Sequence, residues 1–409
     1  MHVLVINSGS SSIKFSMFEV GGRASSPIAI YDGELGGVGT PKPGFKFADA
    51  SGNDLSGGVA VHAGTIEEAI QTVEQAVGAG GLPKVDAVGY RVVHPGARLK
   101  GHQRITSEVL QALRDAEAFA PLHDPVAVEI IEEMMKRLPD VPHFACFDTV
   151  FHETMPEAAK TYAIPLEYRE QGVRRYGFHG LSCESIIAQF REAGIPMPRR
   201  MVIAHLGSGC SVTALLDGKS VDTTMGLTPT GGVVMGTRPG DLDPGLMVYL
   251  LRQQKSDQAK EVEAMVNHKA GMVALSGMAN DMRAVRAAAA SGDAKAVLAV
   301  EVFVRSVRKA IGGFAFLMGG LDAVVFAGGI GEHDTSTRLE VMSGLDGVGI
   351  LLDAAANTAK GDGLRMVSSD NSKTAVFVIP AAEDRMIAWH VREMTGAPAK
   401  CGDSSLRSE

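Results

Sequence analysis

The chain has 409 residues, more than one hydrophobic core usually supports, so two domains are expected, each with a core of its own. Its residues are 45% hydrophobic and 21% charged with no type dominating, which excludes a disordered or fibrous chain. Lys+Arg total 39 against Asp+Glu 47, a formal net charge of -8, and no basic run could follow a phosphodiester backbone, which argues against a nucleic-acid partner.

The chain opens on MHVLVINSGSSSIKF, an apolar strand running into a polar turn, without the basic start and long apolar stretch of a secretory signal. The longest apolar runs, such as AVVFAG at 323–328, are too short to span a bilayer. Cys146, Cys183, Cys210 and Cys401 show no CxxC spacing, so neither a disulfide framework nor a thiolate zinc site is suggested. A cytoplasmic protein with reduced thiols and no membrane partner is expected. Short β-branched runs bounded by Gly, Pro or Asp predict strands over 3–6, 87–93, 143–147, 201–205, 210–216, 323–327 and 375–379. Segments of helical period alternate with them, the pattern of an α/β protein. Thr65-Ile66-Glu67-Glu68 reads as a capping box, and Asp124-Pro125 as an N-cap acid with a first-turn proline. A long helix is expected over 293–318, a last one from Arg385, and a frayed tail after Pro398.

LVINSGSSSIKF and VIAHLGSGCSVTA share one plan: strand, polar residue, Gly/Ser turn, strand, pairing Gly9 with Gly207 and Ser10 with Ser208. Glycine there lets backbone N–H groups converge on an anion, although the same pattern also makes an ordinary turn. One copy per expected domain favours a duplicated fold that grips a nucleotide.

Six segments concentrate the unusual polar residues: INSGSSSIK at 6–14, YRVVHPG at 90–96, APLHDP at 120–125, FDTVFH at 147–152, RRYGFHGLS at 174–182 and MGTRPGDLDPG at 235–245. Arg91 sits in an apolar strand and needs an anion, either a core carboxylate or a substrate. Arg238, in a Gly/Pro loop, either faces a phosphoryl group or is solvated. Asp148 follows a buried strand, as a magnesium or substrate position or as a cap. Glu383 is a site carboxylate or a helix N-terminal acid. His179, between glycines, suits a side chain pushed into a cleft. FAGGIGEH at 326–333 lacks the lysine of a P-loop; its glycines either let a ring or ribose lie on the backbone or form a strand-to-helix turn.

Taken in order, INSGSSSIK, FDTVFH, YGFHG and MGTRPGDLDP resemble the acetate kinase family over nearly the whole chain. The resemblance implies an α/β fold of two duplicated ribonuclease H-like domains, the actin-like ATPase superfold, facing a central cleft. Residues 1–150 with 384–409 would form an acceptor-side domain with a returning C-terminal helix, and 151–383 a nucleotide-binding and dimerisation domain. It implies a homodimer that reversibly transfers a phosphoryl group between ATP and acetate, giving ADP and acetyl phosphate, with Mg2+ or, in its place, Mn2+. By the same resemblance Asn7 and Glu383 position the metal, and Arg91, His123, Asp148, His179 and Arg238 act at the phosphoryl group. Arg91, Val93, Leu122, Phe178 and Pro229 take the acid. Lys14, His205, Gly207, Ser208, Gly209, Asp281, Arg283, Gly329, Ile330 and Gly331 take the nucleotide.

The residue types suit that chemistry independently. A carboxylate acceptor is already ionised at pH 7, so no base has to remove its proton; the obstacle is two anions approaching, and cations meet it. Direct transfer is expected rather than a phosphorylated Glu383, because a carboxylate holding a metal is poorly placed to attack. The sequence departs from the family at Pro95 and Ser208, at Ala381-Ala382 and Cys183, and at Asp124, where asparagine is usual. Propionate or butyrate kinase fits the same residues, since one methylene in an apolar pocket changes discrimination by only about 1–3 kcal/mol. A nucleotide-driven binding protein of the superfold is the alternative from another class.

Overall fold

The computed structural model describes residues 1–9, 11–22, 25–78, 82–117, 124–253 and 258–396; Ser10, Leu122, His123, Cys401 and the tail after Pro398 lie outside them. The chain divides into two compact units, Met1–Val150 with Ala382–Glu409, and Phe151–Ala381.

The first unit is built on β1 (His2–Ser8), β2 (Ser12–Glu19), β3 (Ile28–Gly36), β4 (Gly44–Asp49), β5 (Ala87–Val92), β6 (Gln103–Arg104) and β7 (His143–Phe147), in the order β4-β3-β2-β1-β5-β7-β6. Strands β1 to β4 are antiparallel neighbours, β5 and β7 join parallel to β1, and β6 closes the edge antiparallel. The parallel strands read as unbroken apolar runs because both their faces are covered. Helix Ile66–Val77 begins as predicted: the Thr65 hydroxyl accepts the Glu68 N–H at 3.2 Å. The Glu68 carboxylate takes the Gly64 N–H at 2.7 Å, one residue ahead of the usual reciprocal bond of a capping box. The last helix, Glu383–Thr395, returns to this unit and starts two residues before the predicted Arg385. It packs against β1 and β5. Gly89 makes this possible, since a Cβ there would lie 2.6 Å from Ile387 Cγ2 and 2.8 Å from Val391 Cγ2.

The second unit holds β8 (Arg200–Leu206), β9 (Cys210–Leu216), β10 (Lys219–Thr223), β11 (Ala323–Ala327), β12 (Arg365–Met366) and β13 (Ala375–Val378), in the order β10-β9-β8-β11-β13-β12. An antiparallel three-strand meander, two strands joined parallel to its first member, and a two-residue antiparallel edge repeat the plan of the first sheet. The duplicated α/β fold expected from the hairpin repeat is therefore present. The long helix runs Ala294–Leu317, with Asp293 accepting the Ala296 N–H as its cap. Cys146, Cys183 and Cys210 are buried and form no disulfide with one another. No helix among the described residues is long and apolar enough to cross a membrane.

Candidate active site

Open α/β sheets present ligand-binding groups beyond the C-terminal ends of their parallel strands. In the first unit Asn7 lies near the end of β1, Arg91 near the end of β5, and Asp148 directly after β7. Arg91 Nε and Nη2 donate to the two carboxylate oxygens of Asp148 at 3.0 and 2.6 Å, a bidentate pair, and Nη1 makes a loose 3.4 Å contact with Asn7 Oδ1. Burial disfavours the guanidinium charge, but Asp148, with Glu383 and Asp384 close by, outweighs it, and Arg91 holds its proton more tightly than an ordinary arginine. Of the two readings of Arg91, the core carboxylate is present: Asp148 takes Nε and Nη2.

Asn7 Nδ2 donates to Asp384 Oδ1 at 3.1 Å, and Asp384 Oδ2 accepts from the Ser16 hydroxyl at 2.9 Å. Burial, with Glu383 adjacent, raises the Asp384 carboxyl above the usual range. Sequence reasoning missed this residue. The doubled acid Glu383-Asp384 at a helix start was the available signal, since the second acid is the one that meets Asn7 and Ser16. Since Asp384 engages the nitrogen of the Asn7 amide, the atom Asn7 offers is its carbonyl oxygen. With the Glu383 carboxylate this is a hard-oxygen donor set, which fits a small divalent cation. Lys14 is exposed on β2, opposite Asn7 in the register, and is not among the residues lining the cavity described below. Val93, just past β5, is half-buried. Leu122 and His123 lie outside the described residues.

Asp124 differs from its reading as a cap. It is the first residue of helix Asp124–Arg137, it is 1% exposed, and its Oδ1 accepts the His94 N–H at 3.3 Å, tying the helix to the loop after Arg91. Burial pushes its carboxyl up to about 8.

In the second unit, His179 and His205 stack, with ring centroids 4.1 Å apart and planes 20° from parallel. Each Nδ1 meets a serine hydroxyl at 2.9 Å, Ser211 for His179 and Ser182 for His205. His179 holds left-handed backbone angles, φ 60° and ψ 28°, rare for a residue with a side chain, at the start of helix Gly180–Glu192. The Gly207–Gly209 turn joins β8 to β9, and a Cβ on Gly209 would lie 3.4 Å from Arg238 Nη1 and 3.7 Å from His179 Nε2, so both basic side chains flank this turn. Arg238 Nη1 donates to the Pro229 carbonyl at 3.0 Å, and burial lowers its pKa. Pro229 and Phe178 are buried. The Phe178 carbonyl meets His152 Nε2 at 3.0 Å, which gives the histidine of FDTVFH a supporting place beneath YGFHG.

A cavity of about 670 Å³ opens beside the same turn, lined by Gly207, Ser208, Asp281, Arg283, Gly329 and Ile330 among others. Asp281 caps helix Met282–Ala290 by accepting the Arg283 N–H at 2.9 Å, and the Arg283 side chain is exposed. Gly328 turns β11 into the short helix Gly328–His333 at φ 73°, so the strand-to-helix turn is real while Gly329 and Ile330 also face the cavity. Gly331 is buried against β11 instead. Arg338, unremarked in the sequence, is buried; its Nη1 donates to the Gly331 and Glu332 carbonyls at 2.8 and 2.9 Å and braces this helix.

Comparison with known proteins places the chain in a family. An acetate kinase of Rhodopseudomonas palustris is 41% identical over 398 residues, covering 95% of this chain and 97% of the relative. The crystal structure of Porphyromonas gingivalis acetate kinase, 30% identical, superposes with a TM-score of 0.83 over 96% of this chain and 99% of that one. A propionate kinase from Francisella tularensis, 33% identical, gives 0.84 over 95% and 98%. The Acetokinase family model spans residues 2–389, taking in both sheets, both hairpins and the first half of the returning helix, and the chain belongs to that family.

Proposed function

We propose that the chain catalyses reversible, magnesium-dependent phosphoryl transfer between ATP and acetate, giving ADP and acetyl phosphate, in the cytoplasm and as a homodimer. The observation that carries this reading is the Gly207–Gly209 turn, with Arg238 and His179 against it and a cavity of nucleotide size beside it. Turn amides and a fixed guanidinium are what a transferring phosphoryl group requires as charge spreads over its oxygens. The second unit is assigned the nucleotide, through His205, Gly207, Ser208, Gly209, Asp281, Arg283, Gly329 and Ile330, and the dimer contact. Its exposed Tyr249, Leu298, Phe316 and Leu317 support the latter.

The first unit is assigned the acid. Arg91, oriented by Asp148, pairs with the acceptor carboxylate, and Val93 lies against its methyl group. No proton needs to be removed from that carboxylate at pH 7, so the residues work by position and charge. Magnesium, held by Asn7 and Glu383, would supply further neutralisation of phosphate charge.

Incubating protein with Mg-ATP and acetate, propionate or butyrate, and trapping the acyl phosphate with hydroxylamine, tests the reading. Acetate should give the highest kcat/KM. Propionate is the second candidate because of the similarity to the Francisella enzyme, and its preference would replace acetate; no product from any acid would end the kinase reading.

A further inference from the structure

We propose that Asn280 is a positioning residue for the nucleotide: its side-chain amide turns the Ser208 hydroxyl so that the hydroxyl proton is given to a phosphate oxygen. The inference rests on the nucleotide reading of the cavity that both residues line. Asn280 Nδ2 donates to Ser208 Oγ at 2.8 Å. The next residue, Asp281, caps a helix, which fixes the backbone from which the amide projects. Ser208 is pinned from another side, where the Gly236 N–H donates to its carbonyl at 3.0 Å. A Cβ at position 236 would run into the Asn280 amide, so the close approach of amide to turn depends on glycine there. Two separate segments thus converge on one exposed serine.

A hydroxyl has one proton and two lone pairs. With a lone pair occupied by the Asn280 amide, the proton is directed away from Asn280, and accepting one bond strengthens the bond it donates. Ser208 becomes an oriented donor at the rim of the turn, next to the backbone amides that face the same ligand.

Calorimetric titration with ADP and steady-state kinetics on the intact protein test this. Ser208→Ala and Asn280→Ala should each raise the Kd for ADP and the KM for ATP about tenfold, the size expected for a hydrogen bond to a charged group. For Asn280→Ala the KM for acetate and kcat should stay within about twofold. The double variant should bind no more weakly than Ser208→Ala alone, because without the hydroxyl there is no proton donation left for Asn280 to orient. Asn280→Asp, which can only accept, should draw the hydroxyl proton to itself and bind more weakly than Asn280→Ala. Additive losses, unchanged affinity in Asn280→Ala, or an equal rise in the acetate KM would overturn the proposal. Wild-type protein that binds no adenine nucleotide would instead overturn the nucleotide reading, a distinct result.

Discussion

Asp148 and Arg91 hold opposite charges in a bidentate pair, and Arg238 brings a half-buried cation to the turn between β8 and β9. Asp148→Ala leaves the Arg91 fork without its bidentate partner, and Arg238→Ala removes a cation from the phosphoryl site. Each should lower kcat at least about a hundredfold with the far-UV circular dichroism unchanged; near-normal turnover in both would refute their assigned roles. Asp124 makes a different prediction. Its carboxyl is raised in the folded state to about 8, so the folded chain holds a proton that the unfolded chain releases near its ordinary value. The stability this neutral acid contributes is complete at low pH and is lost as pH rises towards 8. Denaturant melts should therefore show wild type losing stability relative to Asp124→Asn from about pH 5 to pH 8; parallel curves would mean that Asp124 is ionised in place. An Asp-Pro pair announces a helix start in any sequence, but its burial against His94 depends on where the 90–96 loop packs.

At the scale of elements, the strands visible in the sequence were those buried on both faces, such as β5, β7, β8 and β11, because unbroken apolar runs survive any context. β3 and β4 were not visible. β3 alternates buried and exposed positions with Asp32 and Glu34 on its outer face, and β6 and β12 are only two residues long, too short for any periodicity. Gly89 was invisible for another reason: its requirement comes from a helix some 300 residues later. Gly89→Ala should cost about 1–3 kcal/mol of stability in denaturant unfolding by driving a methyl into Ile387 and Val391. No loss would mean that the returning helix tolerates a shift from β5.

On the scale of the whole molecule, Phe316 is 92% exposed and Leu317, Leu298 and Tyr249 are also exposed on the second unit, and these are the side chains that the dimer proposal would bury against a second copy. Sedimentation should give twice the 42.9 kDa of the chain, and Phe316→Glu should shift it towards monomer; a wild-type monomer would remove the dimer from the proposal. The sequence by itself determined the α/β class, the duplication and the family. Those are carried by local periodicity and by ordered short motifs, which need no knowledge of distant contacts. It also supplied Arg91, Asp148, His179 and Arg238 as candidates, because a charge within or just past an apolar strand, or a basic residue among glycines, stands out locally. Only the tertiary structure decided that Asp148 clamps Arg91, that Asp384 orients Asn7, that two imidazoles stack beside the turn and that Asn280 meets Ser208. Each of these joins residues far apart in the chain, and a hydrogen bond's partner is set by where the backbone carries it.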